Sequence, residues 1–208
     1  MRDKRQHILE VAEVLFAGKG FEGTSVRDIA NTANVNLAMI SYYFGSKEKL
    51  LTALVEWRSG FMHEALNELV MDDTLAPFEK IDRLVSLYVD RILNHSKFHC
   101  IMTTHLPTIQ SGEIKELMTE VKYRSLESIR KIITEGQKKG VFRRVDVELT
   151  VASIMGTITQ ITSSKPLYQK IFGMEASDPE MYNRKLAPKL KAHLKQLLRA
   201  HLDIRNEI

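Results

Sequence analysis

The sequence has a single cysteine, Cys100, and no uninterrupted apolar run of the length that a membrane span needs. One thiol cannot form an internal disulfide or a cysteine-rich metal framework, so a reducing compartment is favoured. A spanning helix needs roughly 20 apolar residues, and charged residues such as Glu10 and Glu13 interrupt the amino-terminal segment, unlike a signal peptide. These absences predict a globular, cytoplasmic protein.

Motifs of common enzymes are also missing. The sequence contains no G-x-G-x-x-G or G-x-x-x-x-G-K-[ST] phosphate loop, no H-E-x-x-H zinc motif and no G-x-S-x-G nucleophile turn. The neighbouring carboxylates Asp72 and Asp73 fall in an expected interhelical loop, where capping is the simpler role. We therefore expect no enzymatic activity and no cofactor.

The net charge of +4 does not by itself identify a nucleic-acid site. Residues 1–50 carry seven basic and six acidic side chains, and residues 51–180 carry sixteen and eighteen. The excess lies in residues 181–208, with seven basic and two acidic side chains, where a solvated helix face explains it equally well.

Helical periodicity runs through nearly the whole chain, and no segment alternates with the period of a strand over more than a few residues. We predict an all-α protein of about nine helices. Residues 1–50 form an amino-terminal helix-turn-helix domain, and residues 51–208 form a helical ligand-binding and dimerisation domain. The last two long helices are expected at about Val147 to Ser163 and Met181 to Leu202.

Capping residues in the first fifty positions predict two short helices joined by a tight turn. Ser25 has Asp28 three residues later, which is close to a capping box. Asn34 tolerates the left-handed conformation that a tight turn requires, and Asn36 can cap the next helix as far as Phe44.

Winding residues 37–44 at the helical repeat separates two faces. Ile40 and Phe44 fall on a face that can pack, whereas Leu37, Ala38, Ser41 and Tyr42 fall on another, with Tyr43 at its flank. A helix that presents small side chains and tyrosyl hydroxyls fits the major groove of DNA, which is about 12 Å wide. Lys47 and the free backbone N–H groups after Ser46 could bind a further phosphate.

At these residues the sequence resembles the TetR family of bacterial transcriptional regulators. The matching stretches are TSVRDIA at residues 24–30, ANVN at 33–36, ISYYF at 40–44 and SKEKL at 46–50. The resemblance implies a homodimer that binds a palindromic DNA operator, in most cases as a repressor, and is released by a small molecule. A DNA-binding protein without an effector is the alternative, although DNA binding alone would not need so large a carboxy-terminal domain.

The resemblance also implies roles for individual residues. Phosphate contacts are expected from Tyr42, Tyr43 and Lys47, joined by Thr24 or Ser25, and contacts near base edges from Leu37, Ala38, Met39 and Ser41. Ser41 and Tyr43 stand where the family usually has tyrosine and histidine, and Asn34 and Ala38 replace common glycines.

The middle helices carry more methionine and large apolar side chains than a thin helical layer needs, which predicts a lipophilic effector. The candidate lining residues are Phe61, Met62, Leu66, Leu84, Tyr88, Ile92, Met102, Met118 and Tyr123. Polar contacts could come from Tyr88, Thr103, Thr104 and nearby histidines. Alternatively, the group His95, His99, Cys100 and His105 could make the protein a metal-responsive regulator, although the intervening sequence disfavours one fixed geometry and we expect no metal.

A glycine within a late helix suggests where two copies meet. Gly156 costs its helix about 1 kcal/mol relative to alanine, and close approach of another helix would give a reason for it. We therefore expect an intersubunit four-helix bundle formed by the last two long helices, with the contact residues Ala152, Gly156, Gln160, Leu190, Leu194 and Leu197.

Overall fold

The computed structural model describes residues 3–109, 111–173 and 179–206. In these ranges the protein is all-α, as predicted, and its one strand-like feature is the isolated bridge between Phe142 and Asp203. The helices are α1 Lys4–Lys19, α2 Val26–Thr32, α3 Leu37–Phe44, α4 Lys47–Met71, α5 Pro77–Asn94, α6 Ser96–Cys100, α7 Gly112–Lys138, α8 Val147–Ser163, α9 Lys165–Ile171 and α10 Pro179–Leu202.

The described residues form ten α-helices where about nine were expected, and two of the ten, α6 and α9, are short. Helix α6 continues into a π-helical turn at Ile101–His105. None of the described helices combines the length and apolar content needed to cross a bilayer.

The helices divide into two compact units, neither of which is continuous in sequence. The first comprises residues 1–63 and 97–123, and the second comprises residues 64–96 and 124–208. The first unit thus includes residues 97–123, which were predicted to lie in the ligand-binding domain. The predicted functional division near residue 50 stays a prediction.

The core of the first unit forms around the apolar stripe of α1. Ile8, Leu9, Ala12 and Phe16 recur at helical spacing and are buried. Ile101, Leu106, Ile109, Ile114 and Met118 join the same core from the second chain segment. Since a fully buried Leu, Ile, Phe or Met side chain contributes about 1.5–3 kcal/mol, this distant segment is a substantial part of the unit's stability.

A buried ion pair connects α1 to α4 beside this core. The Arg58 guanidinium donates through Nε and Nη2 to Oε2 of Glu13, at 2.8 and 2.6 Å. The guanidinium carbon also lies 4.0 Å from the centre of the Trp57 ring. Removing either partner would leave a charge buried without compensation, so the pair constrains how α4 packs on α1.

In the second unit a fully buried lysine joins three helices. Lys80 of α5 donates to the Val70 carbonyl in α4 at 3.0 Å and to Glu135 Oε2 in α7 at 2.7 Å. Hydrogen bonds from Lys139 and Lys80, together with their positive charges, hold the pKa of Glu135 below its ordinary value. A buried ammonium requires such partners because its desolvation is costly.

Helix α10 packs along α5 through polar contacts as well as leucines. Asn183 donates to the Leu93 carbonyl at 2.8 Å, and Lys191 pairs with Asp90 at 2.6 Å. Leu186, Leu190, Leu194 and Leu198 are buried at successive turns of α10. The spacing of four residues between them gives this basic helix an apolar stripe along one face.

Candidate nucleic-acid interface and ligand sites

Helix α2 begins at a complete capping box, as predicted. The Ser25 hydroxyl accepts from the backbone N–H of Asp28 at 3.0 Å, and the Asp28 carboxylate accepts from the backbone N–H of Ser25 at 2.9 Å. Hydrogen bonds to the Asp28 carboxylate, first of all that from the Ser25 side chain, lower the pKa of Asp28. Ser25 itself is exposed, so a phosphate could still approach it.

The expected phosphate contact by Thr24 is corrected by the structure. Thr24 is 1% exposed, and its hydroxyl lies 2.8 Å from the Gly20 carbonyl and 3.3 Å from the Leu15 carbonyl. The hydroxyl proton is therefore used to close the end of α1. Of the two alternatives, Thr24 and Ser25, the structure leaves Ser25 at the surface.

The turn between α2 and α3 has the predicted left-handed residue. Asn34 adopts φ 51°, the one positive value among the described non-glycine residues. The Asn36 side chain accepts from the Ala38 N–H at 2.9 Å and so caps α3. His7 of α1 donates from Nε2 to the Ala33 carbonyl at 3.2 Å, which attaches the turn to the first helix.

Helix α3 divides into the predicted buried and exposed faces. Ile40 and Phe44 are buried, whereas Leu37 is 42% exposed and Ala38 and Ser41 are also exposed. These three exposed side chains lie within one turn or so of each other and carry no charge, so a base edge could approach them closely.

Met39, the fourth residue predicted near base edges, is half-buried on α3. Its unbranched, flexible side chain can adapt to an irregular surface, which suits contact with the methyl group of a thymine. Three of the four residues predicted near base edges are therefore exposed, and Met39 is partly accessible.

The paired tyrosines differ in exposure. Tyr42 is 83% exposed, whereas Tyr43 is half-buried and packs against the core of the first unit. Their rings meet edge to face, with centroids 5.2 Å apart. This contact orients the Tyr42 ring, so Tyr42 is the better candidate for a phosphate contact.

Lys47, at the start of α4, already has a partner inside the protein. Its Nζ donates to the Phe21 carbonyl at 2.9 Å and lies 4.2 Å from the centre of the Phe21 ring. An ammonium has three donors, so a phosphate contact by Lys47 is compatible with this hydrogen bond. The lysine therefore has a structural role that its sequence position did not reveal.

Further cations near this surface were not among the predicted contacts. Arg27 lies in the first turn of α2, within the TSVRDIA stretch, and is exposed. Arg5 is exposed in α1, with its guanidinium carbon 5.4 Å from the centre of the Phe44 ring. The surrounding motif could have indicated Arg27, but no sequence signal places Arg5 beside α3.

The structure does not bring the nine predicted ligand-lining residues together in one unit. Phe61, Met62, Met102, Met118 and Tyr123 belong to the first unit, where Met118 is buried in the core and Met102 packs against it. The others, Leu66, Leu84, Tyr88 and Ile92, belong to the second unit. Some of these methionines therefore belong to the core. Helical periodicity alone cannot distinguish a core residue from one that lines a ligand site.

An apolar cavity does lie inside the second unit, and two of the predicted residues, Leu84 and Tyr88, line it. Its walls come from α5, α7, α8 and α10 and include Ile129, Met155 and Leu194. Burial raises the pKa of Tyr88, whose hydroxyl also has a hydrogen bond with the side chain of Ser125. At about 40 Å³ the cavity holds little more than a methyl group, so a ligand would have to enlarge it.

The proposed metal-binding group does not converge. His105 points its Nε2 at the Ala17 carbonyl at 3.2 Å, and its ring lies against Gly20. In the part of the chain that the structure describes, no three histidine, cysteine or carboxylate side chains could hold one ion. His99 is different, since its Nε2 is buried without a hydrogen-bond partner and burial lowers its pKa.

The residues predicted at the dimer contact separate into surface and interior. Ala152, Gly156 and Gln160 are exposed on α8, and Leu197 is 39% exposed on α10. The prediction that Leu190 and Leu194 lie at the dimer contact is wrong, because both side chains are buried inside the protomer. Leu149, which was not predicted, is 66% exposed on the same helix as Gly156.

An exposed short helix that follows a capped tight turn defines a helix-turn-helix DNA-binding regulator. Comparison with known families agrees with this geometry. Residues 8–54 match the family described as bacterial regulatory proteins, tetR family, and residues 77–188 match the tetracyclin repressor-like carboxy-terminal domain. The chain belongs to the TetR family of transcriptional regulators and is not an enzyme.

A curated relative supports this assignment, and solved structures share the fold. The chain is 33% identical over 156 residues to the transcriptional repressor NicS of Pseudomonas putida, covering 73% of this chain and 71% of that protein. The fold resembles KstR2 of Mycobacterium tuberculosis, with a TM-score of 0.75, 20% identity and coverage of 98% and 96%. It also resembles FadR of Bacillus subtilis in complex with stearoyl-CoA, with a TM-score of 0.67, 21% identity and coverage of 90% and 97%.

Proposed function

We propose that this protein is a homodimeric repressor that binds a two-fold symmetric operator and leaves it when a lipophilic ligand binds. The observation that carries the proposal is the exposed, uncharged face of α3 beside the exposed hydroxyl of Tyr42. The name of the relative NicS, a transcriptional repressor, supports repression over activation.

In this proposal α3 enters the major groove with Leu37, Ala38, Met39 and Ser41 towards the base edges. Tyr42 donates to a phosphate at the edge of the groove, and Ser25, Tyr43 and Lys47 are further phosphate contacts. Phosphate contacts position the protein, whereas base contacts select the sequence. The two classes of residue should therefore respond differently to mutation.

Selection of bound duplexes from a random DNA pool tests the DNA-binding part. We expect the recovered sites to be two-fold symmetric, with half-sites separated by about one helical turn or a multiple of it. Ser41→Ala should change which bases are recovered, whereas Tyr42→Phe should recover the same sites with lower affinity. Recovery of asymmetric or unrelated sequences would contradict the proposal.

The dimer is supported by the surface of α8. A side chain added at Gly156 would meet no atom within 4 Å, so packing within the protomer does not require a glycine there. Leu149 and Leu197 expose apolar surface in the same unit, and Ala152 adds a small exposed side chain to α8. A second copy that covers these side chains would bury them and use the glycine for close helix approach.

Light scattering after gel filtration tests the dimer with a matched pair of variants. Gly156→Arg should yield monomers, because the long cation would occupy the proposed contact. Gly112→Arg places the same side chain at a glycine on α7 that also has no neighbouring atom within 4 Å, and should stay dimeric. A wild-type monomer at micromolar concentration would exclude the dimer, and a dimeric Gly156→Arg protein would exclude this interface.

The lipophilic effector is supported by the cavity that Tyr88 and Leu84 line. The side chains that line the cavity are apolar except for Thr150 and Tyr88, and the buried Tyr88 hydroxyl is a fixed polar group. Ligand sites are commonly apolar with a few such groups, but occupy about 300–1,000 Å³. Binding must therefore move helices apart, and the same movement would couple the ligand to DNA release. The complex of FadR with stearoyl-CoA shows that a protein of this fold binds an acyl-CoA.

Thermal-shift screening of fatty acids, acyl-CoA, aromatic drugs and bile-type amphiphiles tests the effector. A true effector should stabilise the protein and also lower its operator affinity, since it binds the DNA-free state more tightly. Met155→Trp should fill the cavity and block both effects. If hydrophilic metabolites alone produce them, the apolar cavity is not the effector site. If zinc alone does so, and His99→Ala abolishes the response, the metal-responsive alternative replaces it.

A further inference from the structure

An open cleft lies at the carboxy-terminal end of α7, away from the cavity that Tyr88 lines. The loop that follows α7 and the carboxy-terminal end of α10 complete its walls, and its volume is about 1010 Å³. Val145 and Ile204 supply apolar surface, and Lys138, Arg143 and Arg144 supply positive charge. This volume is at the upper end of the range of small-molecule sites, about 300–1,000 Å³.

The cations of this cleft have no carboxylate partners among the described residues. No described Asp or Glu lines the cleft, and no ion pair with a described carboxylate involves Lys138, Arg143 or Arg144. The nearby carboxylate of Asp203 is already paired with Arg205 at 2.6 Å, which holds the pKa of Asp203 at about 2. Three like charges that share one cleft repel each other, so an anion would bind there favourably.

Arg143 is held in place by a neighbour that does not neutralise it. Its Nε donates to the His201 carbonyl at 2.5 Å, and its Nη2 lies 3.5 Å from His201 Nδ1. Thr150 donates its hydroxyl proton to the Asp146 carbonyl at 2.6 Å and lies 3.0 Å from His201 Nε2. Thr150 must therefore accept from Nε2–H, which leaves the lone pair of Nδ1 to face the guanidinium.

The resulting geometry is a preorganised cation. Burial, and secondarily the charge of Arg143, lower the pKa of His201, so the imidazole stays neutral and orients the guanidinium without adding a charge. A guanidinium whose position is fixed before a ligand arrives loses little conformational entropy on binding. Lys138 and Arg144 are exposed at the same cleft and can close on a bound group.

We propose that this cleft is a second ligand site, which binds a multiply charged organic anion with a partly apolar body. Arg143 anchors one anionic group, and Lys138 and Arg144 contact it or a second group. Val145 and Ile204 pack against the apolar part. None of the residues that line the cleft belongs to the proposed DNA-binding surface or to the apolar cavity, so the site can exist whether or not the proposed effector is correct.

Calorimetric titration of the full-length protein at constant ionic strength tests this site. The probes are pyrophosphate and citrate, which distinguish phosphate from carboxylate as the preferred group, and ATP against tripolyphosphate, which tests the apolar body. Lys138→Gln and Arg144→Gln should each weaken binding of the better anion on the order of 10-fold, the loss expected for one hydrogen bond to a charged group. Neither side chain has a described intramolecular bond, so the melting temperature should not change.

Two control variants locate the binding. Lys131→Gln removes an exposed cation elsewhere on α7, and Arg5→Gln removes one from the DNA-binding unit. Both should bind the probes with wild-type affinity. The proposal is overturned if no probe binds saturably, if the cleft variants bind as tightly as the wild type, or if either control weakens binding as much as they do.

Discussion

Removing the hydroxyl of Tyr42 separates its role in DNA binding from any role in folding. The side chain is 83% exposed, and its hydroxyl has no hydrogen bond within the described structure. Tyr42→Phe should therefore leave the free energy of unfolding unchanged within about 0.5 kcal/mol, as for most surface substitutions. The ring would also keep its edge-to-face contact with Tyr43.

The expected effect on DNA follows from the number of hydrogen bonds removed. One hydrogen bond to a charged phosphate contributes about 1.5 kcal/mol or more, and a dimer would lose two, so operator affinity should fall on the order of 100-fold. The salt dependence of binding should not change, because no cation is removed and the number of released counterions stays the same. Lys47→Ala, in contrast, should reduce the salt slope by about one for each phosphate that the lysine no longer neutralises.

Fluorescence anisotropy with a labelled operator duplex at several salt concentrations measures both quantities. Tyr123→Phe is the matched control, since Tyr123 is also exposed but lies on α7. An affinity of Tyr42→Phe within twofold of the wild type would refute the phosphate contact. A changed salt slope would refute the reasoning that assigns the loss to a neutral hydroxyl.

Three further substitutions test the structure directly. Thr24→Val should lower the free energy of unfolding by about 1–3 kcal/mol in urea titrations, because two buried carbonyls lose their donor, and should leave the operator sequence preference unchanged. Gly136→Ala should lower the free energy of unfolding by about 1–3 kcal/mol despite the better helix propensity of alanine, because the new Cβ would lie 2.1 Å from the buried Phe142 ring. For His201 the pKa is lowered on folding, so the unfolded chain takes up the proton first and stability falls as the pH drops below about 6.5, the unperturbed histidine value. The melting temperature should accordingly decrease between pH 7 and pH 5, and His201→Gln should reduce that decrease; an unchanged pH dependence would exclude this contribution.

Local sequence signals predicted the elements of the DNA-binding surface well. The cap at Ser25, the left-handed Asn34 and the buried pair Ile40 and Phe44 each follow from a few neighbouring residues, and all are confirmed. The bounds of α8 at Val147 and Ser163 also agree. Capping and helical periodicity act over one or two turns, so a single sequence is sufficient to reveal them.

Long-range contacts account for the predictions that were wrong or incomplete. Lys47 donates to a carbonyl 26 positions earlier, and Thr24 to one nine positions earlier. Met118 packs in a core built mainly from the first 55 residues. Helical spacing shows that such a side chain is apolar and on one face, but not which partner covers that face.

The first unit is built from two separate chain segments, which limits how its DNA-binding part can be exchanged with that of a relative. A fragment that ends at residue 63 would lose the second segment, residues 97–123, and would uncover the core surface against which Ile101, Leu106 and Ile114 pack. An excised headpiece should therefore be prone to aggregation rather than independently foldable. Chimeras that exchange DNA specificity between relatives would keep a native interior only if residues 97–123 travel with the amino-terminal helices, so a single crossover in the gene is the wrong design.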